Sequence, residues 1–390
     1  ERAVNGGAGG TSISGRGGDG GAGILIGGDN AIITNSAMGV ITGGSGGAGA
    51  SASLGGNGGN GITFYRGMIV NAGTITGGTG LGLGTGIVAD NNTSILNSGL
   101  ISGGDGGAET FGDAVTFGGG TNRLELHAGA RFQGNVDAAS GGNDTFILGG
   151  GRDSNIDAAT IGDAAQFRGF EHFEKTGSSR WSLTGTPSAI THWTVREGTL
   201  AFNGGGNGTV NVLSAGTLGG VGTITGDVTN SGTVAPGNSI GTLLVTGNYV
   251  GSDGRLEIEA VLGGDGSAAD RLLVSGNATG TTTVFVQNQG EAGADPGTTN
   301  TDGTSIIQVG GSSRADAFRL AGDYVAVGPY RYGLKAFAPG SSAAGQLDPR
   351  LVAAGTTGFW DYRLQSVADA TGSPILVPQL PLYQALAPAV

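Results

Sequence analysis

The sequence predicts an all-β chain, wound as a right-handed, single-stranded parallel β-helix with a β-rich C-terminal cap. First, apolar triplets such as Val210–Val212, Gly232–Val234 and Thr242–Val245 are closed by Gly, Asn or Asp, which is typical of short strands and turns. Second, strands this short are stable only when coil stacks on coil, each coil covering its neighbour's apolar side. The right-handed winding follows from the usual crossover rule.

Composition limits the class of protein. The chain has 390 residues with 86 Gly, 10 Pro and no Cys. Gly is not at every third position along the chain, which excludes collagen, and an apolar content of 37% excludes plain disorder. The net charge of −12, without a basic stripe, makes nucleic acid an unfavourable partner.

Residues 1–110 predict a thin, Gly-rich β-helix. They hold 36 of the 86 Gly but only two aromatic residues, Phe64 and Tyr65. Three copies of one unit place Ile41, Ile75 and Ile101 at equivalent points, 34 and 26 residues apart. The longer spacing is explained by a Gly/Ser/Ala insertion at 44–60, which we expect to be a loop that leaves the coil.

A set of asparagines follows predicted strands at turns: Asn35, Asn71, Asn97 and Asn230. Asn tolerates the left-handed conformation, and stacked amides can satisfy the backbone groups of turns. We therefore expect an internal asparagine ladder with a structural role, in which Asn71, Asn97 and Asn230 are members.

The remaining chain predicts three further regions. Residues 111–250 are β-helix with larger core residues, residues 251–365 form a better-filled and more stable β-rich unit, and residues 366–390, rich in Pro and aliphatics, form a linker. No apolar run reaches the roughly 18 residues of a membrane helix. Because the chain starts in mid-pattern, we expect it to be a fragment of a longer protein.

One string matches a catalytic motif. Gly237–Gly241 has the spacing of a nucleophile elbow around Ser239, but that motif requires a following helix, and here a strand follows at once. We expect a turn that closes a rung, with Gly237, Asn238 and Gly241 as its structural residues.

Other candidate sites are equally weak. The histidines, His127, His172 and His192, show no metal-ligand spacing. Gly/Asp strings around Asp144 are faintly similar to a calcium repeat, although turn aspartates are the favoured interpretation. Glycine strings such as Gly80–Gly86 lack the following helix of a phosphate site. The sequence thus predicts no catalytic, cofactor-binding or metal-binding residues and no cofactor.

Several segments together resemble the passenger domain of a bacterial autotransporter, the type V secretion family. Thr233–Leu243 resembles the family's associated β-helix repeat, with Ala235 in place of the usual Ser. Asp270–Ala278 resembles the start of the junction, or autochaperone, region. Its final strands are similar to Phe318–Val325, Tyr330–Tyr332 and Phe359–Leu364. Pro374–Tyr383 resembles the segment that leads into the translocator barrel.

The resemblance implies display at the bacterial outer membrane after export through the periplasm. It implies that 251–365 is an autochaperone region that emerges first and templates the coils behind it, that Trp360 belongs to its last strands, and that 366–390 leads to an outer-membrane barrel that this chain lacks. On the family's terms the fragment is the membrane-proximal part of the passenger.

Two functions remain open at this level. The first is a rigid rod for adhesion or cell–cell aggregation, with host surface or matrix molecules, or identical passengers on neighbouring cells, as partners and the barrel as a partner in cis. The second is an inert stalk that presents an upstream protease or esterase domain. A polysaccharide lyase or hydrolase on the coil face is a weaker option, since it requires clustered Asp, Lys and Arg, and Lys and Arg are scarce in 1–110.

Overall fold

The computed structural model describes residues 2–263, 266–290, 302–327, 330–342, 345–368, 373 and 375–376. Two compact units are present, an N-terminal unit of residues 1–218 and 222–226 and a C-terminal unit of residues 219–221 and 227–390. Most of the predicted linker at 366–390, and Asp265 in one of the Gly/Asp strings, lie outside the described residues.

The N-terminal part is built from strands that are mostly three to five residues long. In chain order they are Arg2–Asn5, Ile24–Ile26, Ala31–Asn35, Gly39–Thr42, Ile62–Phe64, Gly67–Asn71, Thr74–Thr76, Ile87–Ala89, Thr93–Asn97, Leu100–Ser102, Asp105–Gly107, Thr110–Phe111, Val115–Phe117, Arg123–Leu126, Arg131–Gln133, Val136–Asp137, Thr145–Leu148, Ser154–Asp157, Phe167–Arg168, His172–Lys175, Arg180–Thr184, Trp193–Phe202, Gly205–Asn207, Val210–Gly220 and Thr223–Thr225. Short 3-10 helices occupy Ala52–Leu54 and Ala158–Thr160.

Apart from Asp105–Gly107 and Thr110–Phe111, which form an antiparallel pair, these strands form parallel sheets, with successive coils contributing one strand to each face. Ile41 pairs with Ile75, and Ile75 with Ile101, which confirms the predicted equivalence of the three positions. The parallel β-helix predicted from the sequence is therefore the fold of this unit.

One column of core residues grows in size along the N-terminal unit. In register order it runs through Ile33, Ile69, Ile95, Leu124, Phe146, Phe173 and Trp193. All seven side chains are buried, and the Phe173 and Trp193 ring centroids lie 5.4 Å apart. Larger side chains bury more apolar area per coil, about 25 cal/mol for each Å², so the later coils have the fuller core.

The glycine-rich insertions form an ordered layer beside the first coils, here called the glycine wing: residues 6–12, 17–23, 43–49, 56–61, 77–80, 82–86, 103–104 and 112. Between neighbouring segments of the wing, a backbone N–H donates to a carbonyl at every third residue. The N–H groups of Gly6, Gly9 and Ser12 donate to the carbonyls of Thr42, Ser45 and Ala48 at 2.8, 2.7 and 2.8 Å.

Segments that run in opposite directions bond in the same rhythm. Gly44 and Gly47 donate to the carbonyls of Gly21 and Gly18, both at 2.8 Å. A period of three is the repeat of an extended polyproline-II-type helix, in which only Gly permits the closest approach of neighbours. The insertion at 44–60 was predicted to be a loop. It does leave the coil, but backbone hydrogen bonds fix it in this layer.

The C-terminal unit begins with parallel strands and ends in an antiparallel layer. Its strands are Val228–Asn230, Thr233–Pro236, Thr242–Val245, Tyr249–Ala260, Arg271–Val274, Ala278–Asn288, Thr304–Val309, Phe318–Leu320, Val325–Val327, Tyr330–Phe337 and Trp360–Ser366, with one α-helix at Pro349–Ala353. Trp360–Ser366 pairs antiparallel with both Thr304–Val309 and Tyr330–Phe337.

Some strands are longer than the sequence predicts. Tyr249–Ala260 has 12 residues and pairs along its length with Ala278–Asn288. Its register shifts between Ser252 and Gly254, where Asp253 has a φ of 56°. A bulge bends the strand at this point, so one long strand turns a corner of the coil.

Candidate functional site

An asparagine ladder runs through the first coils. Asn35, Asn71 and Asn97 are the last residues of three stacked strands and are buried. Asn35 Nδ2 donates to Asn71 Oδ1 and Asn71 Nδ2 donates to Asn97 Oδ1, each at 2.8 Å. Each amide also donates to a carbonyl of its own turn, those of Gly39, Gly73 and Gly99, at 3.2 to 3.3 Å.

Further along the unit, the strand position that these asparagines hold is occupied by other types of residue. Leu126 pairs with Asn97, Leu148 with Leu126, and Lys175 with Leu148. Lys175 is fully buried, and its Nζ donates to the carbonyls of Thr176, Gly177 and Glu197 at 2.6, 2.6 and 3.1 Å. Burial lowers the pKa of this ammonium to about 8, against the opposing charges of Glu197, Asp153 and Glu125.

A second polar column lies at the start of these strands and was missed by sequence reasoning. Asn122 Oδ1 accepts the Thr93 N–H at 2.9 Å, Asp144 Oδ1 accepts the Asn122 N–H at 2.6 Å, and Glu171 Oε2 accepts the Asp144 N–H at 2.7 Å. Burial raises the pKa of Asp144, while its bonds from Asn122 oppose the shift. Asp144, considered above for calcium, thus bonds the adjacent coils.

Asn230 in the C-terminal unit makes a different set of bonds. It is fully buried. Its Nδ2 donates to Tyr249 Oη at 2.9 Å and to the Arg255 carbonyl at 3.0 Å, and its Oδ1 accepts the Gly232 N–H at 3.1 Å. These three bonds stabilise a turn, and none of them is made to another asparagine.

The turn around Ser239 connects two strands, Thr233–Pro236 and Thr242–Val245. Ser239 is exposed with a φ of 122°, and Gly237 has a φ of 95°. Gly241 donates its N–H to Asp270 Oδ1 at 2.7 Å. Asn238 is exposed. All three histidines lie in the other unit, and the geometry seen here is that of a turn fixed by a buried carboxylate.

Asp270 is the buried carboxylate of that turn. Its Oδ2 also accepts the Glu259 N–H at 2.8 Å, and the residue is 1% exposed. Burial raises the pKa of Asp270 to about 6, although both backbone hydrogen bonds lower it. Its position opposite the Gly237–Gly241 turn gave no signal in the sequence.

Trp360 begins the strand Trp360–Ser366, and its ring stacks on Tyr362 with centroids 6.3 Å apart. The next residue, Asp361, is fully buried and accepts hydrogen bonds from Ser305 Oγ at 2.6 Å and Arg363 Nη1 at 3.0 Å. Arg363 also donates to the Gly303 carbonyl. This network ties the antiparallel strands together.

One outward face of the N-terminal unit carries a polar concavity of about 320 Å³. Two of the three histidines, His172 and His192, line it together with Glu174 and Arg196. No sequence motif indicates that the two histidines lie in one site. They come together because each precedes one member of a pair across adjacent coils, Phe173 and Trp193. In the part of the chain that the structure describes, no group of three or more His, Cys, Asp or Glu is placed to hold a metal.

Part of the C-terminal half matches a known family. Residues 218–334 match the family described as Autochaperone Domain Type 1. Within the described residues, no helix has the length and apolarity needed to cross a membrane.

Curated relatives extend the similarity to most of the chain. The adhesin BmaC autotransporter of Brucella suis biovar 1 (strain 1330) is 32% identical to this chain over 394 aligned positions. The alignment covers 91% of this chain and 11% of that protein. The autotransporter adhesin AIDA-I of Escherichia coli is 38% identical over 25% of this chain and 7% of its own length. The probable autotransporter YfaL of Escherichia coli (strain K12) is 35% identical over 29% of this chain and 9% of its own length. The chain therefore spans about a tenth of the length of these relatives.

Proposed function

We propose that this chain, which belongs to the passenger domains of the bacterial autotransporters, is a membrane-proximal adhesive segment. Membership in that family gives it a location at the outer membrane, on the cell surface. In the proposal, its coils act as a rigid rod that holds a binding face toward host surface or matrix molecules, or toward identical passengers on neighbouring cells.

The observation that carries the proposal is an adhesin-named relative that aligns over 91% of the chain. The stacking of the N-terminal coils supports it, because inter-coil backbone bonds and buried side-chain bonds repeat from rung to rung. We also propose that this segment has no catalytic role of its own.

Deletion of residues 1–200 from the full-length protein tests the adhesive role. Bacteria that express the deletion should lose aggregation or binding to host matrix, while surface display, measured by antibody labelling, stays at the level of the parent. Unchanged adhesion by the deletion would make this segment an inert stalk that presents an upstream hydrolase domain.

We further propose that the C-terminal region, which we predict at 251–365, templates folding of the coils during secretion. The match to the autochaperone family over 218–334 supports this role, as does the buried network around Asp361. Limited proteolysis during chemical denaturation should leave this region uncleaved longest. Cleavage within 251–365 before cleavage within 1–200 would refute the proposed order of stability.

A further inference from the structure

The polar concavity of the N-terminal unit has a cationic centre in an acidic chain. Arg196 Nη2 lies 2.8 Å from Glu174 Oε1, and Arg123 Nη2 lies 3.5 Å from Glu174 Oε2. Glu174 is thus paired with two guanidinium groups, in a chain whose net charge is −12. A negatively charged ligand is therefore attracted to this face more than to its surroundings.

The two arginines keep donors available to a ligand. Each guanidinium has five N–H donors in a planar fork, and Glu174 occupies only part of each. The side chains of Arg123 and Arg196 remain 45% and 51% exposed, whereas that of Glu174 is 14% exposed. Although burial raises the pKa of Glu174, hydrogen bonds and charge from Arg196 and Arg123 hold it below its ordinary value, so the centre stays ionised and ordered.

Further hydrogen-bonding side chains surround this centre. His172 Nε2 is 2.7 Å from Asn143 Oδ1, and His192 Nδ1 is 2.8 Å from Thr209 Oγ1. Since Asn143 Oδ1 is an acceptor, this assigns the donor N–H to Nε2 of His172. The Thr209 N–H donates to His192 Nδ1 at 3.4 Å, which assigns the remaining N–H of His192 to Nε2.

We propose that this concavity binds the carboxylate of an acidic sugar, a hexuronate or a sialate unit of a glycan. The planar carboxylate matches the guanidinium fork of Arg196, and the ring hydroxyls match the imidazole and threonine groups beside it. Phe173 is the one aromatic residue of the lining and is 2% exposed. A neutral sugar thus finds little ring surface to stack on, and selectivity rests on charge.

This inference rests on the proposed adhesive function and names the ligand chemistry for it. Two acidic side chains nearby make hydrogen bonds to other groups. Glu125 contacts His127 at 2.7 Å, and Glu171 accepts the Asp144 N–H.

Calorimetric titration of the 390-residue chain tests the proposal. The probes are tri-galacturonate, its fully methyl-esterified form and sialyllactose with lactose as its neutral partner. The acid form of at least one pair should bind at least tenfold more tightly than the neutral form, and the pair that responds identifies the source. Equal binding of both forms, or equal binding of a tri-glutamate peptide, would overturn the proposal.

Three variants locate the site. Arg196→Gln should weaken binding of the acidic probe at least tenfold, whereas Arg152→Gln, the same charge change at an exposed position outside the concavity, should change it less than twofold. Glu174→Gln releases both guanidiniums and should strengthen binding severalfold, a gain that misfolding cannot produce. Equal losses in both arginine variants, or no gain in Glu174→Gln, would contradict the assignment.

Adhesion measured in parallel separates this inference from the proposed function. Loss of adhesion on deletion of residues 1–200, without acidic-sugar binding by the chain, would refute the ligand class and retain the adhesive role. Unchanged adhesion in the deletion refutes the adhesive role even if the sugar binds.

Discussion

Substitution of Gly59 by Ala tests the glycine wing directly. The added Cβ would overlap the carbonyl oxygen of Gly21 and lie 2.6 Å from that of Gly20. The Gly21 carbonyl cannot move aside without breaking its hydrogen bond from the Gly44 N–H, which is 2.8 Å long. Overpacking typically costs about 1–3 kcal/mol and the lost hydrogen bond about 1 kcal/mol more. We therefore expect a loss of about 2–4 kcal/mol in the free energy of unfolding.

Gly10→Ala is the matched control. Its Cβ would meet no atom within 4 Å, although Gly10 lies in the same wing and its carbonyl accepts the Gly18 N–H at 2.7 Å. Ala at such a position restricts the unfolded chain and stabilises a protein by about 0.4–1 kcal/mol. The two Gly→Ala changes should thus have opposite signs.

Native-state amide exchange is the suitable assay, because a long repeat array does not unfold in a single two-state step. Protection of the Gly44 and Gly59 amides should fall in Gly59→Ala and stay equal or rise in Gly10→Ala. If the free energies of unfolding of the two variants differ by less than about 0.5 kcal/mol, the segment 44–60 behaves as the loop that the sequence predicts. Our account of the wing would then be wrong.

Three further outcomes are expected from urea unfolding and amide exchange. Asn71→Ala removes one partner from each neighbouring ladder amide and should cost the N-terminal unit about 2–3 kcal/mol, whereas exposed Thr34→Ala should be near neutral; equal effects would exclude a stabilising ladder. The pKa of Lys175 is about 8 in the folded chain and 10.5 when the residue is exposed. The free energy of unfolding of the N-terminal unit should therefore rise by about 3 kcal/mol from pH 8 to 10.5. Lys175→Met should lose this pH dependence. The pKa of Asp270 is about 6 in the folded chain and 3.8 when the residue is exposed. The free energy of unfolding of the C-terminal unit should therefore fall by about 3 kcal/mol as pH rises from 3.8 to 6. A flat pH profile, or the same profile in Asp270→Asn, would refute this.

Part of the candidate site could be predicted because the residues that indicate it are neighbours in the sequence. Asn71 and Asn97 end their strands at a turn, and the motif around Ser239 is followed directly by a strand, so each interpretation needs only neighbouring residues. The Gly43, Gly46 and Gly49 spacing of three is also a local signal in the sequence, and it indicates the close-packed wing.

Other contacts depend on the lengths of whole coils. Asn35 and Asn71 are 36 residues apart and Asn71 and Asn97 are 26 apart, so no fixed period predicts which side chains stack. The same irregularity hid the column through Asn122 and Asp144. It also hid the approach of His172 to His192, which lie on adjacent coils.

The sequence by itself determined the fold class, because short apolar triplets closed by turn residues allow few arrangements other than stacked coils. Only the tertiary structure decided the register between coils, and with it the buried position of Lys175, the charge centre at Glu174 and the turn fixed by Asp270. The physical reason is that strand pairing is a local preference, whereas contacts between rungs depend on every insertion between them.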